Sequence, residues 1–204
     1  MHATPPRIAD RFRSFLPIVV DIETAGFNSE TDAVLEIAAV IVKMDEEGRL
    51  YRGKTHACHV MPFPGANLEP ASLAFTGIDP HHPFREALEE KPALEMIFEP
   101  IRQEVKANDC TRAIMVAHNP LFDLGFIKAA VKRTKVKNPF HDFSTFDTVT
   151  LSALAYGQTV LARAAQSADM DWDNEQAHSA IYDAEKTADL FCKIVNTWHD
   201  LQPD

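Results

Sequence analysis

The chain has 204 residues, 46% of them apolar and 25% charged, with a formal net charge of -10. That length suits one domain with a sizeable core, and the profile is that of a soluble globular protein. The acidic balance excludes a protein that coats nucleic acid by bulk electrostatics, though not an enzyme that grips a short strand locally.

No apolar run approaches the ~20 residues of a membrane span. The start, "MHATPPRIADRFRSF", lacks the apolar stretch of a secretory signal, so a cytoplasmic protein without a membrane partner is expected. The cysteines Cys58, Cys110 and Cys192 are odd in number and form no CxxC pair, which points away from a disulfide framework or a zinc knuckle. Residues 1–14 read as an N-terminal segment and 15–204 as a single domain.

In chain order, "LPIVVDIE" (16–23) reads as a buried strand and "AVLEIAAVIVKM" (33–44) as a second. "DEEGR" is a turn signal, and "KTHACHVMP" (54–62) reads as a third strand, forming a hairpin or meander. Strand alternation puts His56 and Cys58 of "HACH" on one face and His59 on the other, so these are read as ordinary strand residues. A short helix fits near Pro70 to Phe75. "FREALEEKPALEMIFEPIRQEVKAN" (84–108) has helical periodicity, with interruptions expected at Pro92 and Pro100. "RAIMVAHN" is another buried strand, and "PLFDLGFIKAAVKRTKV" a helix opened by Pro120. "FDTVTLSALAYG" (146–157) reads as a helix capped by Asp147 and stopped by Gly157. "QTVLARAAQSA" is a short helix, and "QAHSAIYDAEKTADLFCKIVNTWHDL" (176–201) a long amphipathic one. Three strands, a helix, a strand and then helices indicate an α/β domain with a mixed central sheet and helices on its faces.

Chemistry enters where carboxylates interrupt these patterns. Asp21 and Glu23 are two apart on a strand and share a face at its rim, while Ile22 points into the opposite layer. Taken alone, the pair is also what an edge strand shows to solvent. Asp123 falls about one turn into the helix after "AHNP", where the helix dipole tolerates an acid. His178 and Asp183 in "HSAIYDAE" are roughly 500° apart around a regular helix, so they align poorly within one. If the helix starts near Ser179, His178 lies in the preceding loop and can swing toward Asp183. Four acids gathered at strand ends and helix starts need cations, and two metal ions ~3.5–4 Å apart are the usual arrangement on a phosphodiester.

With these residues in place, "DIETAGF", "AHNPLFD" and "HSAIYDAE" resemble the three motifs of the DEDDh superfamily of 3′→5′ exonucleases, a ribonuclease H-like fold. Longer stretches, among them "TDAVLEIAAV", "LAFTGIDP", "NPFHDFSTFDT" and "GQTVL", are similar to the ribonuclease T family within it, from about Arg11 to the final helix. The resemblance implies a ribonuclease H-like mixed sheet flanked by helices on both faces. It implies metal ligation by Asp21, Glu23, Asp123 and Asp183, with His178 as base, and two Mg²⁺ per site for which Mn²⁺ can substitute. It implies an exoribonuclease that trims single-stranded 3′ ends of tRNA and other stable RNA precursors, releases nucleoside 5′-monophosphates and also acts on single-stranded DNA. It implies a homodimer in which a basic patch of one subunit feeds the other's site, with Arg11, Arg13, Lys106, Lys132, Arg133, Lys135 and Lys137 as candidates. Phe27, Phe75, Phe122 and Phe143 stand where that family wedges the last bases.

One departure concerns base preference. An acidic residue is expected just before "LAF", where this chain has Ala71, with Glu69 two residues earlier. A DNA proofreading-type exonuclease and an oligoribonuclease share the five residues and stay open as alternatives. An inactive nucleic-acid-binding module fits poorly with an intact set.

Overall fold

The computed structural model describes residues 6–201. Its elements are β1 (Phe15–Thr24), β2 (Val34–Met44), β3 (Leu50–His59), α1 (Pro70–Thr76), α2 (Glu90–Ala107), β4 (Arg112–Ala117), α3 (Pro120–Thr134), β5 (Phe140–Asp147), α4 (Thr148–Tyr156), α5 (Leu161–Ser167) and α6 (Ala180–Asp200). The strands form one mixed sheet in the order β3-β2-β1-β4-β5. The β1–β2 and β2–β3 pairs are antiparallel, and β1–β4 and β4–β5 are parallel.

The central strands are apolar because helices cover both faces. On one face, Ile22 and Ile37 meet Ala93 and Leu94 of α2 and Ile127 and Ala130 of α3. On the other, α6 lies across β1, β2 and β3. Its buried residues Ala180, Ala184, Thr187, Ala188 and Phe191 recur at helical spacing. The alanines leave room for a close approach to the sheet, which brings the acids of α6 near those of β1. Phe146 of β5 stacks on Phe191 at 5.8 Å, and Phe12 packs edge-on to Phe146 at 5.2 Å. The α/β class with a mixed sheet flanked on both faces is as expected.

Three details differ from the sequence reading. β3 spans Leu50–His59 rather than 54–62, because the turn closes at Gly48 (φ +81) and pairing resumes at once. α2 starts at Glu90 and runs unbroken through both prolines. Pro92 sits in the first turn, where a missing N–H costs nothing. At Pro100 one backbone bond is lost, offset by burial of Ile97, Phe98 and Ile101 around it. β5 carried no strand expectation. It is an edge strand interrupted by a bulge between Ala113 and Met115 of its partner, so its period-2 pattern is erased. The cap of α4 is as expected: Asp147 accepts from the Val149 N–H, and Gly157 closes the helix at φ 66. No described helix is long and apolar enough to cross a membrane.

Candidate active site

β1 delivers Asp21 and Glu23 to one face at its C-terminal end, with Ile22 buried in the opposite layer. β4 ends at Ala117, and the chain turns through Asn119, at φ 78, into α3. That places Asp123 in the first turn of α3, only 5% exposed. α6 begins at Ala180, so His178 lies in the loop before it and Asp183 in its first turn. Four carboxylates and one imidazole from three segments therefore meet at one rim of the sheet.

The cluster holds more negative charge than its surroundings neutralise. Burial pushes the Glu23 carboxyl up to about 8, assisted by the charges of Asp183, Glu36 and Asp123. Burial also pushes Asp123 up to about 8, against backbone N–H bonds from itself and Ile22 that pull the other way. Asp21 is held well above the usual carboxylate range by burial and then by Asp123, Glu23, Asp183 and Glu36. Asp183 is raised by burial, partly countered by its hydrogen bond from His178 and the charge of that ring.

A divalent cation fits this donor set. Ligand atoms of Glu23, His178 and Asp183 all lie within 4.8 Å of one another. Asp183 Oδ1 is buried with no hydrogen-bond partner. The carboxylate oxygens among these atoms are hard donors that suit a cation such as Mg²⁺ or Mn²⁺.

Beside the acids is a cleft of 380 Å³ lined by Glu23, Gly26, Phe27, Ala71, Ser72, Phe75 and Phe122 among others. Phe27 is 85% and Phe75 67% exposed, an unusual state for a phenylalanine. Phe27 meets Phe122 edge-on at 6.1 Å, and Phe75 lies 4.4 Å from the His178 ring. Asp32 holds the Phe27 loop by accepting from Asn28 N, Thr31 Oγ1 and Asn67 Nδ2. Gly26 is required there, since a Cβ would stand 2.0 Å from Asp32 Oδ2. A larger cavity of 590 Å³, between α4 and the end of α6, lies away from the carboxylates.

The structure does not bring Phe143 to this cleft. Phe143 is 77% exposed, against His141, which in turn touches Phe15 at the opposite end of β1. Phe15 and Glu23 are eight residues apart, about 26 Å along a strand. Arg13, over the Phe15 ring, shares that far end.

The other cations are scattered. Arg11 donates to the Gly48 carbonyl, Lys106 is in the last turn of α2, and exposed Lys135 ends α3 in the left-handed region. The Lys137 carbonyl accepts from Arg102. Lys132 pairs with Glu30 at 3.3 Å. Arg133 is committed internally, bonded to Glu90 through two nitrogens and lying 4.0 Å over Phe63.

Two neighbours escaped the sequence reading. Arg112 is opposite Phe15, the ring that Arg13 covers, and faces Asp142 at 3.8 Å; only a lone Arg before a strand marked it. Glu36 faces the site from β2, and its mark was legible, a charge inside the apolar run "VLEIAAVIV".

Comparison with known proteins follows the same lines. Residues 18–191 match the exonuclease family RNase_T. The chain is 60% identical to ribonuclease T of Marinobacter nauticus, covering 97% of this chain and 90% of that protein. It is 60% identical to ribonuclease T of Hahella chejuensis, over 95% and 89% respectively. In fold it is similar to the zinc-bound form of E. coli ExoI in complex with ssDNA, with a TM-score of 0.69 at 18% identity, covering 92% of this chain. The chain spans about two fifths (41%) of that larger protein, so the likeness is one of fold. Sequence identity over nearly the whole chain, on a sheet whose rim gathers an acidic cluster suited to cations, gives one conclusion: the chain belongs to the ribonuclease T family of exonucleases, metal-dependent 3′→5′ exoribonucleases.

Proposed function

We propose that the protein trims single-stranded 3′ ends of tRNA and other structured RNA precursors, releasing nucleoside 5′-monophosphates, and that it also degrades single-stranded DNA ends. The observation that carries this reading is the convergence of Asp21, Glu23, Asp123 and Asp183 from three segments beside the exposed His178. The four carboxylates would hold two Mg²⁺, or Mn²⁺ in their place. Bound there, the cations neutralise the cluster and lower the pKa of an attacking water.

The chain's own residues do the rest. His178 stands outside the helix with an exposed ring and accepts the proton of the attacking water. The water oxygen joins phosphorus as the bond to the preceding 3′ oxygen breaks. A nucleoside 5′-monophosphate leaves, and the released 3′ oxygen takes a proton from solvent, so the shortened chain ends in a 3′ hydroxyl. Phe27, Phe75 and Phe122 hold the terminal base by stacking, which is tolerant of base identity.

The protein works as a homodimer in this reading. Arg13 and Arg112, with Phe143, sit at the far end of the sheet, too distant to steer RNA into their own subunit's carboxylates. A strand held there reaches the site of a second copy. Arg11, Lys106, Lys132, Lys135 and Lys137 are further candidates for contacting the strand, and Arg133 contributes less because it is bonded to buried Glu90. We place the enzyme in the cytoplasm and assign residues 15–204 to the exonuclease domain. The preceding segment is 1–14, of which residues 1–5 lie outside the described residues, as do 202–204.

The test is digestion of 5′-labelled tRNA carrying a 3′ overhang, with and without chelator. A ladder shortening from the 3′ end, stopped by chelator and absent with His178→Ala, is expected. Wild-type trimming by folded His178→Ala would end the assignment.

A further inference from the structure

α6 carries Asp183 in its first turn and is preceded by His178, yet its own cap residue, Ser179, makes no side-chain cap bond. An orphan N–H at a helix start needs a partner. The partner of Ala180 comes from 144 residues away: Glu36 Oε2 on β2 accepts its N–H at 3.3 Å. The other oxygen, Oε1, faces His59 Nδ1 on β3 at 3.0 Å. The Glu36 side chain is 17% exposed, and Arg85, bonded to the Leu35 carbonyl, adds a cation nearby.

Cross-strand register explains the reach. Glu23 pairs with Glu36, and Glu36 with His59, so the three stand in one row across the sheet. Two carboxylates directly opposite each other repel, and an apolar residue would serve the β2 core better. Folding alone therefore gives Glu36 little reason to be acidic. The start of α6 supplies one. The first bond of α6, from Asp183 N to the Ser179 carbonyl at 2.9 Å, is adjacent to the N–H that Glu36 holds.

We propose that Glu36 is a positioning residue for hydrolysis: it caps α6 from across the sheet, braced by His59, and so sets Asp183 and His178 against Asp21 and Glu23. This rests on the proposed roles of those residues. Both Glu36 oxygens are engaged, by the Ala180 N–H and by His59, so Glu36 acts through the helix start. Its carboxylate at the positive end of α6 is also favoured by the helix dipole.

The experiment compares Glu36→Ala, Glu36→Gln and His59→Ala with wild type and His178→Ala. Turnover and KM are measured on a single-stranded oligoribonucleotide, with the folded fraction read by circular dichroism at the assay temperature. Mn²⁺ binding is followed separately by electron paramagnetic resonance, so one readout does not depend on activity. Ångström-scale misplacement at a site costs up to ~100-fold, so Glu36→Ala is expected to lose roughly 10- to 100-fold in kcat with KM within about threefold. Glu36→Gln keeps an acceptor for the Ala180 N–H and is expected to retain about a third or more of kcat, a rescue that loss of folding alone would not show. His59→Ala falls between them. Mn²⁺ binding weakens in Glu36→Ala and recovers in Glu36→Gln.

Wild-type kcat in folded Glu36→Ala overturns the proposal. So does a Glu36→Gln loss as deep as that of alanine, since charge and not the cap would then matter. If Glu36→Ala does not fold, the Gln variant decides on the same criteria. Wild-type activity in His178→Ala would instead overturn the proposed function, whatever Glu36 does.

Discussion

The backbone N–H of His178 donates to Asp183 Oδ2 at 3.1 Å, from a left-handed backbone at φ 67. One acid thus fixes the loop that carries the candidate base, and the imidazole is left exposed beside Phe75. A non-glycine residue held there is strained, and such strain is tolerated where surroundings impose it.

That relationship gives the first prediction. General-base catalysis contributes ~10²–10⁴-fold, so His178→Ala is expected to lower kcat by about that much in single-turnover assays. His178→Gly should lose as much activity yet melt at a higher temperature than the alanine variant, because glycine adopts positive φ without cost. Equal melting of the two variants would contradict a strained loop.

The raised carboxyls predict how stability depends on pH. Glu23 titrates near 8 in the folded protein and near 4.3 when unfolded, about its free value. Between these values the folded state holds the proton and the unfolded state does not. Stability that is present at acid pH is therefore lost as pH rises toward 8, with Asp123 acting in the same direction. In chelator, the melting temperature should fall between pH 5 and pH 8, and Mg²⁺ should raise it far more at pH 8. A flat profile in chelator speaks against the raised values.

Removing one of the clustered charges should trade activity for stability. Asp21→Asn takes away repulsion against Asp123, Glu23 and Asp183. We expect a metal-free protein that melts higher than wild type, gains less from Mg²⁺ and does not turn over. Differential scanning calorimetry and a trimming assay check both halves.

The cleft predicts affinity without strong base selection. Base–aromatic stacking is worth ~1–3 kcal/mol, so Phe27→Ala should raise KM roughly 5- to 100-fold, with little effect on folding because the ring is exposed. At Ala71 the cleft has a methyl group where an acidic side chain was expected, with only the small hydroxyl of Ser72 beside it. Oligomers ending in A, C, G or U should therefore differ by less than about fivefold in kcat/KM, given that every base has a π-face. Ala71→Glu should widen that spread.

Exposed and internally committed cations should behave differently: Arg112 has only an exposed 3.8 Å pairing with Asp142, whereas Arg133 is bonded to buried Glu90. Removing Arg13 or Arg112 should weaken RNA binding and reduce the salt slope by about 0.7 per lost phosphate contact. Arg133→Ala should leave that slope alone and destabilise the fold on the order of 3 kcal/mol, because buried Glu90 loses its partner. Mixing His178→Ala with an Arg13→Ala/Arg112→Ala variant should restore activity above either alone, since a mixed dimer keeps one intact patch facing one intact site. No gain on mixing would rule out the crossed arrangement.

Much of the site was legible in the chain because its signals are local. Asp21 and Glu23 stood out as charges in an apolar strand, and strand alternation alone put them on one face. The placement of His178 was legible only on condition that the last helix starts near Ser179 and not at Gln176, and α6 begins at Ala180. Asp147 and Gly157 marked the ends of α4 through local backbone chemistry. Where several nearby residues must satisfy one another, a single sequence carries the answer.

What the sequence left open depends on strands and helices far apart in the chain. Phe143 looked like a fourth cleft phenylalanine, yet β5 runs parallel to β4 and leaves it at the opposite end. Arg133 looked like a free cation until α2 brought Glu90 against it. Glu36 read as one acid in a strand, and only the register with Glu23 and His59 and the approach of α6 gave it a partner. The sequence by itself determined which residues could do chemistry, because burial and periodicity are written locally. Only the tertiary structure decided which of them meet, because pairing register and helix docking are set by contacts between residues that lie in different elements, up to 144 positions apart.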